Sequence, residues 1–203
     1  GIGVVIQILI GGLMMQSFGA YAAVLRDDFG WSKTLFSFAF SVTRVESGIL
    51  GPLQGWLIDT LGPRKMMRAG LVMLGVGFLL FSQIDTQWHF FVSYLLMAIG
   101  ASVGGFMTLT VTIVNWFERR RATAMAIMGM GMAIGGLLVP IVVLSMEEFG
   151  WRETAFGSGL LVLFVGLPLS QVIRTRPEDI GIGVDGKPLD VPATAGGGAA
   201  GGP

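Results

Sequence analysis

Apolar residues crowd into six stretches of this chain, at about 2–25, 34–59, 65–82, 89–117, 122–145 and 154–173. Short polar and charged clusters separate them. A helix needs roughly 18 to 20 apolar residues to cross a bilayer's hydrocarbon core, and each stretch reaches that length. Connections this short fit a structure whose backbone polar groups pair inside each span. The pattern predicts an all-α fold: a polytopic membrane protein with a six-transmembrane-helix bundle over residues 1–173. Residues 174–203 close on ATAGGGAAGGP, the composition of a flexible linker. Residue 1 is Gly, already inside an apolar stretch, so both ends read as interrupted.

The basic residues orient this bundle. Arg64, Lys65 and Arg68, then Arg119, Arg120 and Arg121, then Arg174, Arg176 and Lys187 fall on one side. The other side holds Arg26, Lys33 and Arg152, diluted by Asp27, Asp28, Asp85, Glu147, Glu148 and Glu153. The positive-inside rule places the first set, and with it both chain ends, in the cytoplasm of a cell whose inner or plasma membrane carries the protein. Trp31, Trp88 and Trp151 then lie at outer helix ends, with Trp56 and Trp116 near inner ends, where indole rings favour the headgroup level. Asp28-Phe29-Gly30-Trp31 is echoed by Glu148-Phe149-Gly150-Trp151, and each glycine reads as a turn into the next helix.

Composition agrees. Hydrophobic residues make up 53% and charged residues 13%, against about 25% charged in soluble domains, and the mean hydropathy is +0.74. Zero net charge implies no nucleic-acid partner. The absence of cysteine removes disulfides and thiolate metal sites, and the one histidine, His89, has no ligand partner at metal spacing. No cofactor is expected, and no nucleophile–base constellation points to an enzyme.

Within the spans, charge is the exception, and an intramembrane ionisable residue is a functional hypothesis by default. The second stretch holds Arg44 and Glu46, about 200° apart on a helix and so unable to pair directly. Arg44 instead shares a stripe with Gly48, Gly51, Gly55 and Asp59, extended by Ser37 and Ser41. The fourth stretch has a small and polar stripe of Tyr94, Ala101, Gly104, Thr108, Thr112 and Asn115. The first has Gln16, Ser17 and Tyr21, with Gln7 further in. Each of these reads equally as helix packing through small residues and inter-helical hydrogen bonds. In the fifth stretch, Gly131 and Gly135 form a small-xxx-small pair for close contact, and Pro140 should bend the helix.

The string GWLIDTLGPRK, with Gly55, Leu57, Asp59, Gly62, Arg64 and Lys65, resembles the loop after the second helix of major facilitator superfamily transporters, G-x-L-a-D-r-x-G-r-r. Thr60 and Pro63 depart from it. Residues 115–124 look like that superfamily's loop between helices four and five, and Arg176 to Gly181 like the start of its central loop. The opening of helix two and the GPRK turn look most like its organic-acid branch, the monocarboxylate and oxalate–formate transporters. Leu96 stands where drug exporters of the superfamily carry an arginine. The resemblance implies the N-terminal half of a twelve-helix transporter, partnered by a missing C-terminal six-helix half. It implies alternating-access transport of a small organic anion, a mono- or dicarboxylate, with a coupled proton or counter-anion. Drug export and a non-transporting half-size sensor are the alternatives. The resemblance places Arg44, Gln16, Tyr21 and Thr108 at the solute path, and Gly55, Asp59, Gly62, Arg64 and Lys65 in a gate. A guanidinium suits a carboxylate, which it holds bidentately; an arginine tied to a structural acid or to backbone carbonyls is the other reading.

Overall fold

The computed structural model describes residues 2–172. Six helices follow one another among them: α1 (Ile2–Phe29), α2 (Lys33–Leu61), α3 (Pro63–Phe81), α4 (Gln87–Trp116), α5 (Arg121–Phe149) and α6 (Trp151–Gln171). Residues 173–203 lie outside the described residues, and with them the linker expected at 174–203, Arg174, Arg176, Lys187 and the central-loop string. Four helices, α1, α4, α5 and α6, are long and apolar enough to cross a membrane by length and composition. The other two are long but carry more charge. α2 contains Lys33, Arg44, Glu46 and Asp59, and α3 opens on Arg64, Lys65 and Arg68. At about 1.5 Å per residue, the 19 residues of α3 still extend close to 30 Å.

The helix ends explain the connections. Gly30 is left-handed (φ 65°) and donates its N–H to the Arg26 carbonyl, so α1 runs four residues past its expected end. Gly150 (φ 94°) ends α5 with a bond to the Met146 carbonyl. The echoed strings therefore share a glycine stop, since a side chain is strained at either φ. Gly62 (φ 83°) bonds back to Ile58 and leaves one residue between α2 and α3. Pro63, a departure from the resembled pattern, starts α3 where a missing N–H costs nothing.

α3 is the spine. It packs most extensively on α4 and then on α6, while α1 packs on α5 and α2 leans on α4 and α3. The α3–α4 crossing is so close that a Cβ on Gly70 would lie 2.4 Å from the Gly104 Cα and 2.6 Å from the Gly100 carbonyl. The expected close contact of α5 is present too. A Cβ on Gly135 would lie 2.8 Å from the Gly12 nitrogen, and one on Gly131 2.9 Å from the Val4 carbonyl. Small residues let backbones approach where lipid offers no hydrophobic drive between helices.

One end of the bundle is an aromatic plug of Phe29, Trp31, Phe36, Phe81, Phe90 and Trp151. Trp151 is buried there and donates its indole N–H to Asp28 at 2.6 Å, so it is a core residue rather than an interfacial anchor. Trp88 and Trp56 are 77% and 60% exposed and fit the anchor role. Arg152 clamps the same end. It donates to the Ser82 and Ile84 carbonyls at the end of α3 and pairs with Asp85 at 2.9 Å. Large apolar side chains such as Ile49, Leu137, Leu144 and Phe164 point outward, as on a surface that faces lipid.

Candidate functional site: a cavity between α1, α2 and α4

A cavity of about 570 Å³ opens between α1, α2 and α4, with Met132 of α5 at one edge. The size falls in the range of small-molecule sites. Arg44 is on its wall, and its guanidinium carbon lies 4.9 Å from the Phe40 ring centroid. Among the described residues Arg44 makes no ion pair and no hydrogen bond. Glu46 reaches the same cavity. The sequence reading placed these two on opposite faces; the cavity wraps far enough around α2 to meet both.

Three rings continue from Arg44 across the cavity. Phe40 faces Phe18 at 6.4 Å with 24° between planes, and Phe18 stacks on Tyr94 at 4.6 Å. The Tyr94 hydroxyl reaches Thr43. Gln54 and Ser102 satisfy each other across α2 and α4, by reciprocal bonds of 2.9 and 3.0 Å. Gln7, 1% exposed, lines the wall with an amide oxygen that has no donor among the described residues.

The other expected solute contacts sit elsewhere. Gln16 donates its amide to the Met132 carbonyl at 2.8 Å. That carbonyl is free because α5 tightens into a single turn over residues 136–138, just before Pro140, and the Gly136 N–H turns to Ala133 and Ile134. The acceptor that this turn frees is therefore filled from α1, while the Gly136 carbonyl, which Pro140 has no N–H to reach, accepts from Val139. Thr108 is fully buried and donates its hydroxyl to the Val103 carbonyl at a break in α4. Gly105 makes the break, with backbone angles (φ −98°, ψ −124°) that interrupt the helix. Tyr21 is buried edge-on against Phe81, its hydroxyl beside Ser158. None of the three lines the cavity.

The expected gate residues lie along α2 and its turn. Around Gly48, Gly51 and Gly55 an added Cβ would meet nothing within 4 Å, and Asp59 is exposed at the end of the stripe. The stripe is thus open along its length. Arg64 donates to the Gln171 carbonyl at 2.5 Å, which ties α3 to the last described turn of α6, while Lys65 is exposed.

Fold and cavity together describe a polytopic helical membrane protein with a cavity of small-molecule size between its helices. The chain belongs to the Major Facilitator Superfamily, whose profile matches residues 4–189. It is 30% identical to the membrane sensor protein UhpC of Salmonella typhimurium over 80% of this chain and 36% of that one. It is 31% identical to the fujikurins efflux protein of Gibberella fujikuroi over 64% of this chain and 28% of that one. It is 23% identical to the "Probable hexose phosphate transport protein" of Chlamydia trachomatis, over 82% of this chain and 37% of that one. The chain spans about a third of the length of these curated relatives. The family is one of transporters rather than enzymes.

Proposed function

We propose that the chain works as one half of a secondary transporter for a small organic anion, most simply a mono- or dicarboxylate, with Arg44 as the residue that holds the carboxylate. The observation that carries this reading is a guanidinium on a cavity wall that makes no ion pair and no hydrogen bond among the described residues. A buried acid partner would have favoured a structural arginine. The planar fork of Arg pairs bidentately with a carboxylate, which a lysine ammonium cannot do. A coupled proton or counter-anion would balance the charge, and a second six-helix half would close the other side of the path. In this reading both ends of the chain face the cytoplasm of an inner or plasma membrane, and the stripe ending at Asp59, with its Gly62 turn and Arg64 and Lys65, docks on that second half as a gate.

Binding and transport by the complete natural protein test it. Arg44→Lys weakens carboxylate binding and Arg44→Gln weakens it further. The loss is about 1.5–3 kcal/mol for one charge-assisted contact, roughly 10- to 150-fold in affinity. Unchanged affinity in a well-folded Arg44→Gln protein removes Arg44 from the site. A second reading has support in the sensor relative at 30% identity: a protein that binds its anion without moving it. Saturable, Arg44-dependent binding with no flux in proteoliposomes decides for that reading.

A further inference from the structure

We infer that the anion held by Arg44 has a flat, apolar body, as in an aromatic or comparably planar monocarboxylate; this rests on the carboxylate reading of Arg44 above. The cavity leads from the guanidinium directly onto rings. Arg44 covers Phe40 at 4.9 Å, Phe40 faces Phe18 at 6.4 Å and 24°, and Phe18 stacks on Tyr94. Stacked on one another, these rings give the cavity an aromatic wall beside the cation, which a planar ligand can meet edge-on or offset. Aromatic rings associate best at centroid separations of about 4.5–7 Å, offset or edge-on. Methionines at positions 14, 15, 107 and 132 complete the wall with polarizable thioethers that favour aromatic partners.

The polar groups point the same way. Gln54 and Ser102 occupy each other, so they offer little to a ligand rich in hydroxyls. A sugar phosphate would bring several hydroxyls and a dianion to a wall whose one cation, Arg44, shares the cavity with the carboxyl of Glu46, and burying unmet polar groups is costly. Gln7 is the exception. Its amide oxygen is buried, lines the cavity and has no donor among the described residues, so it can take one hydrogen bond from a ring hydroxyl or amine on the ligand.

The test uses the complete natural protein in nanodiscs, with calorimetric titration of phenylacetate, 4-hydroxyphenylacetate, acetate, phenylacetamide and glucose 6-phosphate. Phenylacetate is expected to bind at least about tenfold more tightly than acetate, phenylacetamide or glucose 6-phosphate, in line with ring contacts and a charge-assisted bond. Phe18→Leu and Phe40→Leu keep an apolar wall but remove a ring. Each should cut phenylacetate affinity about 2- to 10-fold and leave acetate unchanged. Gln7→Leu should erase any advantage of the hydroxylated ligand over phenylacetate. Acetate bound as tightly as phenylacetate, with both lost in Arg44→Gln, overturns the planar-body inference and leaves the carboxylate reading standing. Tighter binding of glucose 6-phosphate than of phenylacetate overturns the planar-body inference as well. Carboxylate binding indifferent to Arg44→Gln overturns the carboxylate reading itself, and this inference with it.

Discussion

At the scale of single residues, polar side chains in this bundle divide by what their hydrogen bonds reach. Arg64 donates to the Gln171 carbonyl, and Thr108 and Gln16 each spend a donor on a backbone carbonyl that a helix break has left free. In hydrocarbon that carbonyl has no water to turn to, so the side chain does structural work. Arg44 and Gln7 have no such carbonyl among the described residues and line the cavity. Spacing along the chain could mark all five as polar positions within or beside apolar stretches, but it could not show which carbonyls the backbone would release. The freed acceptors depend on Gly105 and on the turn before Pro140, and only the proline advertised itself in the sequence. Thr108→Val separates the two roles. It keeps the shape of the side chain but strands the buried Val103 carbonyl, so a destabilisation of about 1–3 kcal/mol is expected with ligand affinity intact. Chemical denaturation in mild detergent reads the first quantity and titration of ligand the second. Intact stability with weakened binding would return Thr108 to the solute path.

Glycine-rich stripes on α2 and on α4 look alike in sequence and behave differently as elements. On α4, Gly100 and Gly104 meet the backbone of α3 around Gly70, too closely for any side chain. On α2, Gly48, Gly51 and Gly55 face open space, although each costs about 0.5–1 kcal/mol of helix stability relative to Ala. Of α4's small and polar stripe, Tyr94 and Ala101 are on the cavity wall, while Gly104, with Gly100 beside it, packs on α3. Helical periodicity could define both stripes; which neighbour each would meet is a tertiary fact. Paired substitutions make the difference measurable. Gly70→Ala drives its methyl into the backbone of α4, which cannot rotate away, and should cost at least the roughly 1–3 kcal/mol typical of overpacking. Gly51→Ala should leave the thermal stability of the six-helix unit unchanged or raise it slightly. In the complete protein the same Gly51→Ala change should slow transport if this stripe docks on a second half. A destabilised six-helix unit carrying Gly51→Ala would mean that the stripe is packed within this chain after all.

For the molecule as a whole, the two ends differ in chemistry as sharply as the apolar girdle differs from both. One end gathers the α2–α3 and α4–α5 connections, with Arg64, Lys65, Arg119, Arg120 and Arg121. The other gathers the Asp28–Trp151 bond, the Arg152–Asp85 pair and the aromatic plug. Six consecutive helices were legible from hydropathy alone, because each long apolar run must bury its backbone polarity in a helix. Orientation is a further step that rests on the excess of basic residues at the first end. The chain has no cysteine, so single cysteines can report it without a background. Asp85 is unsuitable as a reporter because it holds Arg152. Gln83 is exposed beside it, and its side chain has no hydrogen-bond partner among the described residues. Arg120 is exposed at the opposite end. In intact cells a membrane-impermeant maleimide should label Gln83→Cys and spare Arg120→Cys. Permeabilisation should then expose Arg120→Cys. Labelling of both before permeabilisation would break the assignment of opposite sides. The reverse order would keep the six spans and invert the protein, placing the basic loops and the Asp59 turn outside the cytoplasm and contradicting the charge rule on which the orientation rests.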